Sequence, residues 1–222
     1  MSAESGVSTF RDNGGLWDQY NVEDVATPEG WERNPQLVTD FYNGLRHQIL
    51  EKHPCRGHEL LAQLEKDFEV DIITQNVDDL HERAGSTRVL HLHGELMKVT
   101  SSWNPNDPRY IRTLTPDNLD VKIGERCADG SQVRPFIVWF GEAVPNIEPA
   151  AALCQKADIF VIIGTSLNVY PAAGLTQYVT TDTPIYLIDP KPVQWNSLQH
   201  FTHIQKGASA GMEELCQLIK QS

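Results

Sequence analysis

The chain has no Gly-x-Gly-x-x-Gly run and no Walker loop, so the common glycine-rich nucleotide fingerprints are missing. No apolar run approaches the ~20 residues a membrane helix needs. Met1 to Gly6 has neither the basic start nor the apolar core of a signal peptide. These absences read as a cytoplasmic protein. Cysteine is scarce: Cys55, Cys127, Cys154 and Cys216 lie far apart, with no Cys-x-x-Cys pair. That pattern suits reduced thiols better than a disulfide framework or a closed zinc site. Positive charge is also in deficit, with 18 Lys and Arg against 30 Asp and Glu and a formal net charge of -12. Such a surface argues against non-specific nucleic-acid binding and is compatible with basic peptide partners. There is no internal repeat and no low-complexity linker.

What is present is a 222-residue chain with 40% apolar residues, enough for one α/β domain carrying a small insertion. Short β-branched segments alternate with amphipathic ones, the pattern of an α/β fold with a parallel sheet. Strands are expected over Val70–Thr74, Asp158–Ile163, Pro184–Asp189 and Phe136–Phe140. Val89–His93 also reads as extended, with His91 and His93 on one face. Asn34-Pro35 supplies an N-cap and a first-turn proline, followed by the apolar stripe Leu37, Val38, Phe41, Leu45 and Ile49. Leu60, Leu61, Leu64 and Phe68 mark the next helix, and Met212, Leu215, Cys216 and Ile219 the last. Between residues 98 and 134 turn chemistry dominates. This stretch is expected to be a small module inserted between residues 1–97 and 135–222.

Polar clusters follow three of the expected strands: Thr74 to Asp78, Gly164 to Asn168, and Asp189 to Lys191. In an open parallel sheet such strand ends line the ligand crevice, although helix caps and turns would explain any one of them. His91-Leu92-His93-Gly94 offers a base that titrates near neutrality. An isolated strand histidine is commonly only a satisfied rim residue. A metal on the His-x-His pair would need further ligands that no nearby cysteine or histidine supplies.

Taken in order, five segments resemble the sirtuin family. Ser2 to Arg11 resembles its cofactor loop, and Gln75-Asn76-Val77-Asp78 its Gln-Asn-(Ile/Val)-Asp motif. Leu92-His93-Gly94 resembles the segment with the catalytic histidine. Val138 to Glu142 resembles the substrate-clamping strand, and Gly164-Thr165-Ser166 the phosphate and ribose contact. The resemblance spans nearly the whole chain. It implies a Rossmann-like parallel sheet with helices on both faces, binding NAD, in an NAD-dependent protein-lysine deacylase. His93 would be the catalytic base. Ala3, Glu4, Phe10, Arg11, Gln75, Asn76, Asp78, Gly164, Thr165, Ser166, Asp189, Lys191 and Ala208 would border the cofactor. Tyr42, Val138, Phe140, Gly141 and Glu142 would meet the acylated lysine peptide, which adds as a strand. The implied chemistry is attack of the acyl-lysine oxygen on the anomeric ribose carbon as nicotinamide leaves. His93 then helps pass the acyl group on, giving lysine and O-acyl-ADP-ribose. Two other readings stay open: an NAD hydrolase or ADP-ribosyltransferase on the same site, and a catalytically silent NAD-binding module.

The sequence departs from the family in three places. Sirtuins usually hold zinc on two Cys-x-x-Cys-like pairs in the inserted module, whereas residues 98–134 contain only Cys127; no zinc is expected. The helix Phe41 to Arg46 resembles that of the class removing succinyl and malonyl groups, in which Tyr-x-x-Arg binds the acyl carboxylate. Here Leu45 stands at that arginine's place. Arg46, ~100° further around the helix, is expected to point away, so neutral acyl groups are expected to be preferred. Finally, a family member carries a strand and a Gly-Ala-Gly turn before the equivalent of Ser2. The chain is therefore expected to start late by on the order of ten to fifteen residues, and to bind NAD weakly.

Overall fold

The computed structural model describes residues 1–7, 20–165, 172–192 and 201–220. Ser2–Ser5 form one tight turn, closed by Gly6 at φ 75°. Three helices follow: α1 (Val22–Val25), α2 (Pro28–Arg33) and α3 (Pro35–Leu50). The Asn34 side chain accepts the Leu37 amide at 3.0 Å and starts α3 as its sequence predicts. Helix α4 (Arg56–Leu64), strand β1 (Ile72–Thr74), the short α5 (Leu80–Arg83) and strand β2 (Val89–His91) come next. Strands β3 (Gly94–Ser101), β4 (Arg112–Thr113) and β5 (Val133–Ile137) then precede helix α6 (Ile147–Lys156). The chain closes with β6 (Phe160–Ile163), β7 (Ile185–Ile188), β8 (Phe201–Ile204) and α7 (Ala208–Ile219).

The alternation of β-branched and amphipathic segments thus yields parallel pairing. β1 pairs with β2, and β6, β7 and β8 form a parallel sheet in that order. Helices cover these strands through two apolar clusters. One joins α4 and α7 to β1, β7 and β8 through Leu60, Leu61, Leu64, Ile72, Ile188, Ile204, Met212 and Leu215. The other packs Cys154 of α6 and Leu175 against Leu92, Ile162 and Leu187. This is the Rossmann-like α/β arrangement. A third cluster, built from Val25, Val38, Phe41, Tyr42, Leu96 and Trp139, joins α1 and α3 to β3 and to the segment after β5. No helix among the described residues is long and apolar enough to cross a membrane.

Residues 98–134 form much of an antiparallel sheet, β4-β3-β5, with an apolar centre of Val99, Leu114, Val121 and Val133. A polar hub closes its far end. The fully buried Ser101 hydroxyl donates to Asp129 at 2.6 Å and accepts the amides of Trp103 and Asn104 and the Ser131 hydroxyl. Asn104 and the Ser131 amide add bonds to Asp129. Desolvation opposes ionisation of Asp129, yet these donors hold its carboxyl well below the usual range.

Two expectations need correction. The strand expected over Phe136–Phe140 lies over Val133–Ile137, because beyond Ile137 the backbone turns to reach the His93 carbonyl. Phe68 lies beyond the helix of Leu60 and Leu64, on a turn in which its amide still bonds Leu64. Arg46, expected to point away from the acyl pocket, turns into the protein. Fully buried, it donates to the Leu96 carbonyl at 2.9 Å, to Asn43 at 2.7 Å and to Leu119. Asn43 in turn pairs both ways with the Val121 backbone, so α3 is bonded to the 98–134 segment. Burial pulls the Arg46 pKa down to about 10.

Candidate active site

The carboxyl ends of β1 and β2 place two polar segments side by side, and both histidines of His91-Leu92-His93 reach back across the gap. His93 Nδ1 lies 3.1 Å from the Gln75 carbonyl, and His91 Nδ1 lies 3.0 Å from the Asn76 carbonyl. A carbonyl only accepts, so Nδ1 of His93 carries its proton and Nε2 keeps a lone pair. Burial of the half-covered ring lowers the His93 pKa, the bond to Gln75 opposing it only in part. Its resting state at neutral pH is a neutral imidazole with a basic nitrogen, as a general base requires.

Gly94 follows at φ 83°, where any Cβ would sit 2.1 Å from the Phe136 carbonyl. Only glycine lets β3 leave His93 so close to β5. On that side the Val138 amide donates to the His93 carbonyl, the Phe140 amide to Ala26, and the Trp139 amide to Glu142. The expected clamp segment is therefore fastened directly beside His93. Within it Trp139 is buried, while the Phe140 ring is 55% exposed. Gly141 adopts φ 90° on the exposed surface. Most main-chain donors of this segment are already used, so peptide pairing here would rest on carbonyls and on Gly141. Glu142 faces the protein: it takes both guanidinium nitrogens of Arg134, which lies 3.5 Å over the Trp139 ring. Trp139 Nε1 donates to the buried Tyr42 hydroxyl at 3.0 Å. Sequence reasoning missed Arg134 and Trp139 as the pieces that shape this wall; a charge pair eight residues apart was the available signal.

The remaining cofactor candidates divide. Asn76 donates to Ser2 at 2.8 Å and Gln75 to Thr165 at 3.3 Å, so the first turn, the β1 end and the β6 end meet. Gly164, at φ 59°, allows that approach, since a Cβ there would stand 3.0 Å from the Met1 nitrogen. Asp78 is buried and accepts the Leu80 amide, starting α5. Glu4 turns away to the N-terminus of α7, where it takes the Ser209 amide at 3.0 Å, and Ala208 is buried beside it. Ala3 is exposed on the same turn. Asp189 accepts the Lys191 amide in a local turn after β7, and Lys191 is exposed. Phe10, Arg11 and Ser166 lie outside the described residues.

The arrangement can hold a dinucleotide. Polar side chains at the ends of β1 and β6 meet through Gln75 and Thr165, Asn76 reaches the first turn, and in that turn the Ser5 hydroxyl is buried without a partner. One group of metal-ligand-type atoms lies within 4.8 Å among the described residues: Glu82, His91 and Glu95. These groups are already engaged with one another and with Lys98: His91 with Glu82, and Glu95 with the Lys98 ammonium.

Comparison with known proteins agrees with this geometry. Over 219 residues the chain is 64% identical to an NAD-dependent protein deacylase of Bacteroides thetaiotaomicron, covering 99% of this chain and 94% of that protein. It is 49% identical over 215 residues to an NAD-dependent protein deacylase of Helicobacter pylori, covering 97% and 91%. A Sir2 homologue solved as an NAD complex superposes with a TM-score of 0.83 at 33% identity, covering 99% of this chain and 86% of that one. With residues 1–171 also matching the family description itself, the chain belongs to the Sir2 family.

Proposed function

We propose that this protein is an NAD-dependent protein deacylase that removes acyl groups from lysine side chains with His93 as its base. The observation that carries the reading is the His93 ring: its Nδ1 is committed to Gln75, and its Nε2 is basic beside the Asn76 and Asp78 loop. The relatives named NAD-dependent protein deacylases support both the enzyme class and protein substrates. When bound, NAD supplies an electrophilic ribose carbon and the ADP-ribose that takes up the acyl group. Gln75, Asn76 and Thr165 would orient it, and the turn at residues 2–5 would cover it, which fixes geometry rather than supplying covalent chemistry. His93 would remove a proton from the ribose hydroxyl system, help worth ~10²–10⁴-fold. The exposed Phe140 and Gly141 would meet the peptide, while Tyr42 and Trp139 would form the acyl wall.

Neutral acyl groups are the preferred substrates in this reading. Leu45 packs beside the Tyr42 cluster, Arg46 binds the Leu96 and Leu119 carbonyls and Asn43, leaving one buried guanidinium nitrogen without a partner, and Arg134 is neutralised by Glu142. The 98–134 module works without zinc, its polar hub standing where metal cross-links would otherwise be needed, and the protein acts in the cytoplasm. The test is to incubate the protein with NAD and a panel of acetyl-, longer acyl- and succinyl-lysine peptides and follow peptide mass. NAD-dependent loss of the acyl mass is expected, fastest on neutral groups. Loss of NAD at the same rate with and without peptide would favour the hydrolase reading instead.

A further inference from the structure

His91 has no part in the chemistry described so far, yet both nitrogens of its ring are engaged close to His93. It lies on the last residue of β2 and is 6% exposed. One nitrogen faces the Asn76 carbonyl at 3.0 Å, and the other faces the Glu82 carboxylate on α5 at 2.8 Å. Its own carbonyl is held by Asn146, the residue before α6, at 2.7 Å. A carbonyl and a carboxylate are both acceptors, so the two contacts are hydrogen bonds together only when both ring nitrogens carry protons.

We propose that His91, as an imidazolium braced by Glu82, is a positioning residue that holds the Gln75–Asp78 loop in its working geometry. The proposal rests on the deacylase reading of this site. The mechanical argument is that His91 and His93 grip two consecutive carbonyls, Asn76 and Gln75, from one strand end. If the Asn76 grip is released, the Asn76–Val77 peptide keeps the bonds on either side of it, from the Asn76 amide to the Thr74 hydroxyl and from the Leu96 amide to the Val77 carbonyl. Its own carbonyl is then unheld, and the His93 contact is the loop's remaining histidine anchor. Asn76 also bonds Ser2, so the same release loosens the first turn.

The charged groups around the ring favour the protonated state. Burial opposes the charge, but the bond to Glu82, the Asn76 carbonyl and the nearby Glu95 outweigh it and raise the His91 pKa above the ordinary 6.5. Glu95 is itself paired with Lys98. His81 of α5 repels the charge when protonated, but burial keeps it neutral down to about 4. The sign follows: the clamp is complete below the raised pKa and is lost as pH climbs through it. Deacylation thus has an alkaline limb set by His91, in addition to an acid limb set by His93.

The test compares Glu82→Gln with wild type by pH profiles of kcat and KM on an acyl peptide with NAD, and by NMR titration of the His91 imidazole. Glu82→Gln keeps the acceptor shape and removes the charge. Its alkaline limb should move down by about one pH unit or more, together with the His91 titration, while the acid limb stays in place. Above that limb kcat should fall by about ten- to hundredfold, the scale of one charge-assisted bond, with the peptide KM little changed. A merely structural role would lower activity evenly across pH. Should the variant fold poorly, wild type still decides: its alkaline limb must coincide with its own His91 titration. Profiles that superimpose, a His91 that titrates below 6.5, or a titration that moves without the limb overturn the proposal. Wild type that never deacylates sinks the deacylase reading instead. NAD affinity measured by calorimetry then judges the clamp alone: it must weaken on the alkaline side with His91, and a flat profile overturns it.

Discussion

Replacing Ser101 by alanine tests how much the polar hub adds to the sheet and apolar centre that hold the 98–134 segment. The Ser101 hydroxyl is the hub for Asp129, Ser131 and the amides of Trp103 and Asn104, and it has no solvent exposure. Alanine removes one oxygen and leaves no cavity, so packing loss is small. The fully buried Ser131 hydroxyl then loses this partner, which costs about 1–3 kcal/mol. Asp129 can turn to water, so its lost bond adds little. Urea unfolding should show a lower midpoint with an unchanged slope, and amide exchange should speed up across 98–134 before the parallel sheets are affected. Wild type should be indifferent to chelators. The carboxyl of Asp129 is depressed in the folded state, so its stabilisation is complete above about 3.8, its ordinary value, and fades only as pH falls toward its lower folded pKa. Stability of Ser101→Ala within about 0.5 kcal/mol of wild type, or unfolding of wild type by EDTA, would refute the reasoning.

Leu45→Arg should raise the ratio of desuccinylation to deacetylation by roughly ten- to hundredfold, because a desolvated arginine–carboxylate pair is worth about 1.5–3 kcal/mol; a wild type that already prefers succinyl-lysine would contradict this. Arg46→Ala should destabilise by about 3 kcal/mol or more in denaturant, since it strips donors from the buried Leu96 and Leu119 carbonyls and leaves a void; a change under 1 kcal/mol would show that the bonds are dispensable. The acid limb of deacylation should fall below 6.5, because burial lowers the His93 pKa and only the neutral ring is a base; a limb above that value would assign the base elsewhere.

The parts of the fold that sequence made legible are those set by local patterning. Asn34-Pro35 starts α3, β-branched runs give β1, β6 and β7, and the segment expected to be extended over Val89–His93 is a strand only to His91, with His93 in the bend that follows. The Gln75 to Asp78 loop stood out through its resemblance to the family's Gln-Asn-(Ile/Val)-Asp motif, since turns and caps alone would explain a polar cluster after a strand. What was not readable depends on partners far apart in sequence. Glu4 meets Ser209 across 205 positions, and Ser101 meets Asp129 across 28. Helix phase puts Arg46 off the Tyr42 and Leu45 side but not where it goes: it is buried against the Leu96 and Leu119 carbonyls, partners far away in sequence. Arg134 pairs with Glu142 across eight residues after β5, a contact that the sequence alone does not announce.

The central claim is that His93 couples NAD consumption to loss of an acyl group from protein lysine. Nicotinamide release and acyl-peptide mass, followed in the same reaction for wild type and His93→Ala, test it most directly. The account predicts that wild type forms nicotinamide and deacylated peptide in equal amounts. It also predicts that folded His93→Ala falls by on the order of 10²-fold or more in deacylated product. Deacylation by His93→Ala at the wild-type rate, or nicotinamide release by wild type that ignores the peptide, would contradict it.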